Sequence, residues 1–515
     1  MGISALTVGL LGMMFFTCAY RVINWLWLTP KMLERNLKRQ GLKGNSYRVL
    51  YGDMKDNMKM MQDAKSKPIS LSDNIIPRVM PYVEHCLATH GKNSIMWLGP
   101  RPRILLMEPE LIKEVFNKIN QFQKPHANPL VRLLATGVVS YNDDKWVKHR
   151  KLINPAFHSE KIKNMLPAFY LSSIEMVKKW EKLDFVDESC EVDVWPDLQN
   201  MTRDVISKTA FGSSYEEGKR IFDLQKELAN LVMQAALTVY IPGWRYMPTK
   251  MNRRMKALNQ VIEASIRAII DKKEKTMKEG KAASDDLLGL LIETNLRESN
   301  EHKNDKTARM SIQDVIEECK LFYFAGQETT SVLLVWTMIL LSQHQEWQER
   351  ARNEVLHVFG LEKPDFDGLH HLKIVNMILH EVLRLYPPVT ILNRAVHTET
   401  KLGDLKLPDG VLVSLPILSI HHDAELWGDD ANEFKPERFS EGVSAATKNQ
   451  VIFVPFGWGP KICVGQNFAL LEAKMAVAII LQRFCFELSP SYTHAPHTLL
   501  ILQPQHGAPL ILRKR

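Results

Sequence analysis

Cys463 lies in the segment Phe456-Gly457-Trp458-Gly459-Pro460-Lys461-Ile462-Cys463-Val464-Gly465, just before a helix-forming stretch from Gln466 through Ala478. Thiolate is the reactive and ligating form of cysteine, and the positive end of a helix, with its free backbone N–H groups, lowers the pKa of a nearby thiol. The three glycines permit close backbone approach. The pattern suits a sulfur held deprotonated against a metal. The other five cysteines, at 18, 86, 190, 319 and 485, show no spacing of a disulfide framework or a zinc site, so the bulk of the chain reads as cytosolic.

A second set of polar residues interrupts an apolar helix. Ser311 with Asp314 has the form of a helix start, and apolar residues recur from there to about Gln343, a helix of roughly 45 Å at 1.5 Å per residue. Its middle reads Ala325-Gly326-Gln327-Glu328-Thr329-Thr330. Gly326 weakens the helix there, and the Thr329 hydroxyl can bond a carbonyl one turn back, opening the ladder. A local rule broken inside a regular helix marks a place where function sets the sequence. Glu381 and Arg384 stand at i and i+3 among Ile378, Leu379, Val382, Leu383 and Leu385. That setting predicts a buried ion pair, and buried charges need partners.

Together these segments resemble the haem-thiolate monooxygenases, the cytochrome P-450 superfamily. Phe456, Gly459, Cys463 and Gly465 fit its FxxGxxxCxG signature; Trp146 and Arg150 fit WxxxR, Glu381 and Arg384 fit ExxR, and Pro436-Glu437-Arg438-Phe439 fits its PERF segment. The resemblance implies the P-450 fold, mainly α with small β-sheets, and haem b whose iron takes Cys463 as axial ligand. It implies that Trp146, Arg150, Arg394 and Lys461 hold the haem propionates. It assigns Thr329 to hydrogen bonding of dioxygen, Glu328 to proton delivery, and Glu381, Arg384 and Arg438 to a structural brace behind the cysteine loop. Lys461 departs from the arginine that most relatives carry, replacing a bidentate contact with a point charge. Electrons would come from NADPH through a separate reductase, with O2 as oxidant, and thiolate donation favours O–O cleavage. The rival class, a haem-thiolate isomerase or dehydratase, typically lacks the helix threonine and distorts the cysteine loop. A non-catalytic haem-binding scaffold would have no need of Thr329.

Ile3 to Tyr20 is uncharged and largely apolar, and after Arg21 the apolar character continues to Leu28, enough to cross a hydrocarbon core of about 30 Å. Residues 1–28 thus read as a single N-terminal transmembrane anchor, with Trp25 and Trp27 at the interface. Lys31, Arg35, Lys38, Arg39 and Lys43 place the catalytic part in the cytosol. The start lacks the basic n-region and cleavage site of a signal peptide. Residues 29–60 follow as a linker with an amphipathic helix to Gln40, and 61–515 as one catalytic domain, despite a length at which two or three cores are the neutral expectation. The expected location is the endoplasmic reticulum membrane. The net charge of +8, from 66 basic and 58 acidic residues, suits a membrane surface or an acidic partner, and nothing points to nucleic acid. Lys145, Lys148, Lys151 and Lys461 form a possible reductase-docking face.

Turn residues predict hairpins between Ser94–Leu98 and Arg103–Met107, between Leu405–Leu407 and Val411–Ser414, and between Thr498–Gln503 and Pro509–Leu512. The charge-rich stretches Asp271–Ser284 and Arg297–Arg309 read as a helix end and a solvated connector. Ile241 to Pro248 joins two helical patterns with aromatics suited to a lipid surface.

The segment from Trp25 to Asp53, the cysteine loop and the ending Gln503 to Pro509 resemble the plant family of secologanin synthase and several triterpenoid oxidases. By position in that family, 123–134, 321–324, Leu333, 389–393 and 497–500 line the substrate pocket. These mostly apolar walls suit a bulky apolar ligand held by few hydrogen bonds. The implied substrate is a plant terpenoid, a pentacyclic triterpenoid of the oleanane type first. The alternatives are an iridoid monoterpene such as deoxyloganic acid or loganin, and a hormone.

Overall fold

The computed structural model describes residues 2–125, 128–212, 215–279, 286–301 and 310–515. A helix from Ile312 to Gln343 runs through the interior. Its start is the capping box read from the sequence: the Ser311 hydroxyl accepts the Asp314 N–H at 3.0 Å and the Asp314 carboxylate accepts the Ser311 N–H at 3.0 Å. From Thr330 to Ser342 every residue is buried, so this helix, though long and apolar enough to span a membrane, is a core element.

The helix Val194–Phe211 crosses it most closely. Gly326 lies at the crossing, where an added Cβ would fall 2.6 Å from Ile206 Cδ1. Two more helices complete this layer: Ser159–Glu181, and Gln466–Arg483, which is buried on nearly all sides and packs on both the former and the central helix.

Among the described residues, thirteen short strands lie at the edges: β1 (Lys43–Gly44), β2 (Ser94–Leu98), β3 (Arg101–Leu105), β4 (Phe122–Gln123), β5 (Ser189–Asp193), β6 (Leu392–Val396), β7 (Thr400–Leu402), β8 (Leu405–Leu407), β9 (Leu412–Leu415), β10 (Phe484–Leu488), β11 (Pro496–Thr498), β12 (Leu502–Pro504) and β13 (Pro509–Lys514). The principal sheet has the order β1-β2-β3-β9-β6-β4. The first expected hairpin is present as β2 and β3, with a tighter turn than predicted. The other two pairings differ from expectation. β8 pairs with β7 rather than with β9, which joins β3 and β6 in the large sheet. The stretch 498–503 folds on itself, β11 against β12, while β13 pairs with β10 and β5. Turn residues mark where the chain reverses, but not which of several apolar strands receives it.

At the N-terminus, Gly2–Ile23, a π turn at Asn24–Leu28 and Thr29–Arg39 are helical in succession, without a break at Pro30. The stretch Thr7–Arg39 is long and apolar enough to cross a membrane, and its apolar N-terminal part is not buried against the body, consistent with membrane anchoring. Leu33 and Leu37 are buried in a core with Ile95, Trp97 and Ile104 of the large sheet, so the expected linker is packed onto the body. The Tyr47 hydroxyl donates to the Leu26 carbonyl at 2.8 Å. The expected connector at 297–309 is helical as far as Glu301, within a helix Leu287–Glu301; 302–309, like 280–285, lies outside the described residues.

Gly326→Val should overpack the helix crossing by about 1–3 kcal/mol and lower the thermal midpoint by several degrees. Adding Ile206→Ala should recover part of the loss, which a double-mutant thermal melt would read as a coupling between the two sites.

Candidate functional site

The segment before Gln466 is wound by its glycines. Gly457 and Gly459 have φ of 72° and 70°, a region that other residues rarely adopt. The turn is closed by the Gly457 N–H on Val454 O at 2.9 Å, the Ile462 N–H on Gly459 O at 3.1 Å and the Cys463 N–H on Phe456 O at 2.9 Å. Gly465 has an ordinary φ of −90°, and an added Cβ would come no nearer than 3.9 Å to any atom. What that glycine leaves is bare surface beside the sulfur.

Cys463 is enclosed by protein on every side and yet keeps accessible surface, so its thiol opens onto an internal cavity. Burial pushes the thiol pKa up, against the opposing effects of the Gly465 N–H and the Arg150 charge. A bound metal cation would reverse that balance, because a coordinating thiol is deprotonated.

In the central helix, Phe324, Ala325, Gly326, Glu328 and Thr329 keep accessible surface between buried neighbours. The Thr329 hydroxyl donates to Ala325 O at 2.8 Å, the backbone contact its type and position allow. The helix nevertheless stays α throughout this stretch. Burial raises the Glu328 pKa, partly offset by the Gln327 amide donating at 2.8 Å and by the Arg203 and Lys226 charges.

Four cations gather around the cavity. β4 and β6 are registered Gln123 to Ala395, which brings Lys124 beside Arg394. Asn142, just before the helix Asp143–Ile153, accepts the Lys124 N–H at 2.9 Å and the Lys461 Nζ at 3.1 Å. Arg150 on that helix donates to Ile462 O at 2.7 Å. Burial, then repulsion from Lys461, Arg394 and Arg150, brings the Lys124 pKa down to about 7. Burial and Arg394 bring Lys461 to about 8, and burial alone brings Arg394 to about 10. Among the described residues none of the four forms an ion pair with a carboxylate. A buried group of cations without anions fits a dianionic ligand, and the two haem propionates supply that charge. Lys461 and Arg394 also lie over the rings of Trp146 and Phe116, at 5.4 and 5.6 Å. The helix carrying Trp146 and Arg150 is tied to the central helix by His149 Nδ1, 2.6 Å from Glu318 Oε1, with both side chains buried.

Behind the loop, Arg384 makes a bidentate pair with Glu381 at 2.7 and 2.8 Å and donates to His421 O at 2.8 Å and Ala431 O at 2.5 Å. Arg438 Nε lies 3.6 Å from Glu381 Oε1. His421 Nε2 accepts the Val454 N–H at 3.1 Å, which carries the brace into the segment that ends at Cys463.

A cytochrome P450 family model matches residues 78–510, and the chain belongs to that family of haem-thiolate monooxygenases, which carry haem b and receive NADPH electrons through a reductase. Cytochrome P450 72A397 of Kalopanax septemlobus is 60% identical over 496 residues, covering 96% of this chain and 95% of the relative. Cytochrome P450 72A15 of Arabidopsis thaliana is 59% identical over 496 residues, covering 96% of each chain. Among solved structures, retinoic acid bound cyanobacterial CYP120A1 superposes with a TM-score of 0.73 at 24% identity, over 84% of this chain and 94% of that one, a likeness of fold.

Some expectations are corrected. Lys461 turns inward and leaves the expected docking face, whereas Lys145, paired with Asp314 at 2.7 Å, and Lys151 remain exposed. Tyr323, expected at the pocket, is fully buried and stacked 3.9 Å from Phe211. Residues 126 and 127 of the expected pocket lie outside the described residues. Sequence reasoning placed Lys124 in a pocket-lining stretch but not among the four cations, and missed Asn142, His149, Glu318 and Glu472. Glu472 is buried in the helix after Cys463, with neither oxygen in a geometrically sound hydrogen bond; it approaches the Thr330 hydroxyl, and burial raises its pKa well above the usual range. Only His149 carried a signal, its place between Trp146 and Arg150.

The Lys124 pKa lies below its ordinary 10.5, so between about 7 and 10.5 the unfolded chain holds the extra proton and stability rises with pH. Denaturant melts of the haem-free protein should show this gain, by at least about 1 kcal/mol, and Lys124→Met should remove the part that begins near pH 7, leaving the smaller rise that Lys461 contributes above about 8. Bound haem should flatten the same profile.

Proposed function

We propose that the chain is a membrane-anchored terpenoid oxidase in which Cys463 is the axial ligand of haem iron and a pentacyclic triterpenoid of the oleanane type is the substrate. The observation that carries the site assignment is the coincidence of a cavity-facing thiol with four cations that form no ion pair with a carboxylate among the described residues. When bound, the haem supplies activation of dioxygen for insertion of one oxygen atom into a C–H bond.

The protein's own part is positional and electrostatic. Trp146, Arg150, Arg394 and Lys461 hold the propionates, joined by Lys124. Phe456, Gly459 and Gly465 shape the loop, and the Gly465 N–H with Arg150 favours the thiolate form of Cys463. Thr329 orients dioxygen through its hydroxyl while Glu328, whose pKa is raised by burial, takes up a proton more readily than an exposed carboxylate and passes it inward. Productive oxidation needs protons in a site that excludes bulk water. Glu381, Arg384 and Arg438 hold the loop in place. The terpenoid assignment rests on the resemblance to terpenoid oxidases and on the apolar walls contributed by Phe324, Ile391, Leu392, Leu499 and Leu500, each with accessible surface. Residues 61–515 act as the catalytic unit on the cytosolic face of the endoplasmic reticulum. The N-terminal segment 1–28 anchors it, and the exposed Trp244, Tyr246 and Met247 rest on the lipid.

Cys463→Ser should eliminate the red-shifted band in the carbon monoxide difference spectrum and all turnover, while the polypeptide stays in the membrane fraction. A serine variant with the band intact would sink the ligand assignment. Thr329→Ala should keep the band but divert most NADPH consumption to peroxide and water, read as product formed per NADPH; unchanged coupling would remove Thr329 from the role. Incubation of microsomes with reductase, NADPH and a panel of triterpenes and iridoids tests the substrate.

A further inference from the structure

Arg103 lies on β3, registered with Met96 on β2 and Leu412 on β9. Like Cys463, it is enclosed by protein yet keeps accessible surface. Its Nε is buried without a hydrogen-bond partner, and among the described residues the guanidinium makes no hydrogen bond or ion pair. Desolvation brings its pKa to about 10, with no charged neighbour contributing, so at neutral pH it remains a cation deep in the protein without an anion. An uncompensated buried charge is costly, which leaves a place for an anionic ligand.

That ligand is not a haem propionate. Successive residues of a strand point to opposite faces. Arg394 is registered with Val413, and Val413 with Ile104, which places these on one face; Arg103, Leu412 and Ala395 occupy the other, together with Leu105, Ser414 and Asn393. Asn393 and Ser414 join by a hydrogen bond of 2.5 Å. Two strand spacings and a two-residue offset separate the Cα atoms of Arg103 and Asn393 by about 12 Å. One polycyclic ligand can reach from one to the other. The β2–β3 turn lies beside the segment that leads to the exposed Ile241: a Cβ on Gly99 would meet Val239 at 3.6 Å.

We propose that Arg103 is a specificity-determining residue that pairs with a carboxylate of the substrate, so that the preferred ligands are terpenoid acids held with the acid at Arg103 and the apolar skeleton in the cavity. Arginine suits this role because its planar fork matches a carboxylate. The inference rests on the terpenoid reading above.

The test is a spectral binding titration of the full-length holoenzyme, following the haem absorbance shift, with matched acid and methyl ester pairs of a pentacyclic triterpenoid, an iridoid and dodecanoic acid. The parent should bind at least one acid about tenfold or more tightly than its ester. Arg103→Gln should weaken that acid to the level of the ester, leave the ester unchanged and preserve the carbon monoxide band, and Arg103→Lys should restore part of the preference. Equal binding of acid and ester in every pair, or an acid preference that survives Arg103→Gln, would overturn the proposal. Binding of the dodecanoic pair alone, with the acid preference lost in Arg103→Gln, would retain Arg103 and reject the terpenoid reading.

Discussion

The arrangement depends on keeping charge where water is scarce. A thiol at the wall of an internal cavity resists ionisation, and burial pushes the Cys463 pKa up for that reason. In the proposed assignment the sulfur must nonetheless be an anion. The surroundings supply the compensation in parts: an N–H from Gly465, the Arg150 charge, the start of the helix Gln466–Arg483, and the metal itself.

The same logic governs the cations. Lys124, Arg150, Arg394 and Lys461 are brought together by three unrelated pieces of backbone: a two-strand register, the helix Asp143–Ile153 and the cysteine loop. In the proposed assignment their mutual repulsion is offset by the two haem propionates. The Glu381–Arg384 pair is the self-sufficient counterpart. Its charges satisfy each other, and the spare donors of Arg384 tie the carbonyls of His421, Ala431 and Glu433 into one knot. From there the His421 imidazole accepts the Val454 N–H, so one residue links the ion pair to the segment that leads into the loop.

Much of this was legible in the sequence because it is local. The capping box at Ser311, the back-bonding hydroxyl of Thr329, the glycine-wound cysteine loop and the Glu381–Arg384 pair are each set by residues within a few positions of one another. The failures are non-local. The strands Leu405–Leu407 and Leu412–Leu415 have turn residues between them and still pair elsewhere, because the large sheet offers β9 two buried neighbours. Lys461 looked like a surface cation and found Asn142. Tyr323 looked like a pocket wall and found Phe211.

The sequence by itself determined the chemistry: a cysteine among glycines ahead of a helix, a threonine and a glutamate in the middle of an apolar helix, and an anchor at the start, all of them short-range patterns whose meaning survives without coordinates. Only the tertiary structure decided which cations surround the cavity, that His149 locks one helix to another through Glu318, and that Arg103 and Glu472 are buried without the usual partners. Those facts depend on distances between residues tens to hundreds of positions apart. They are fixed by packing and strand register rather than by any local preference of the chain.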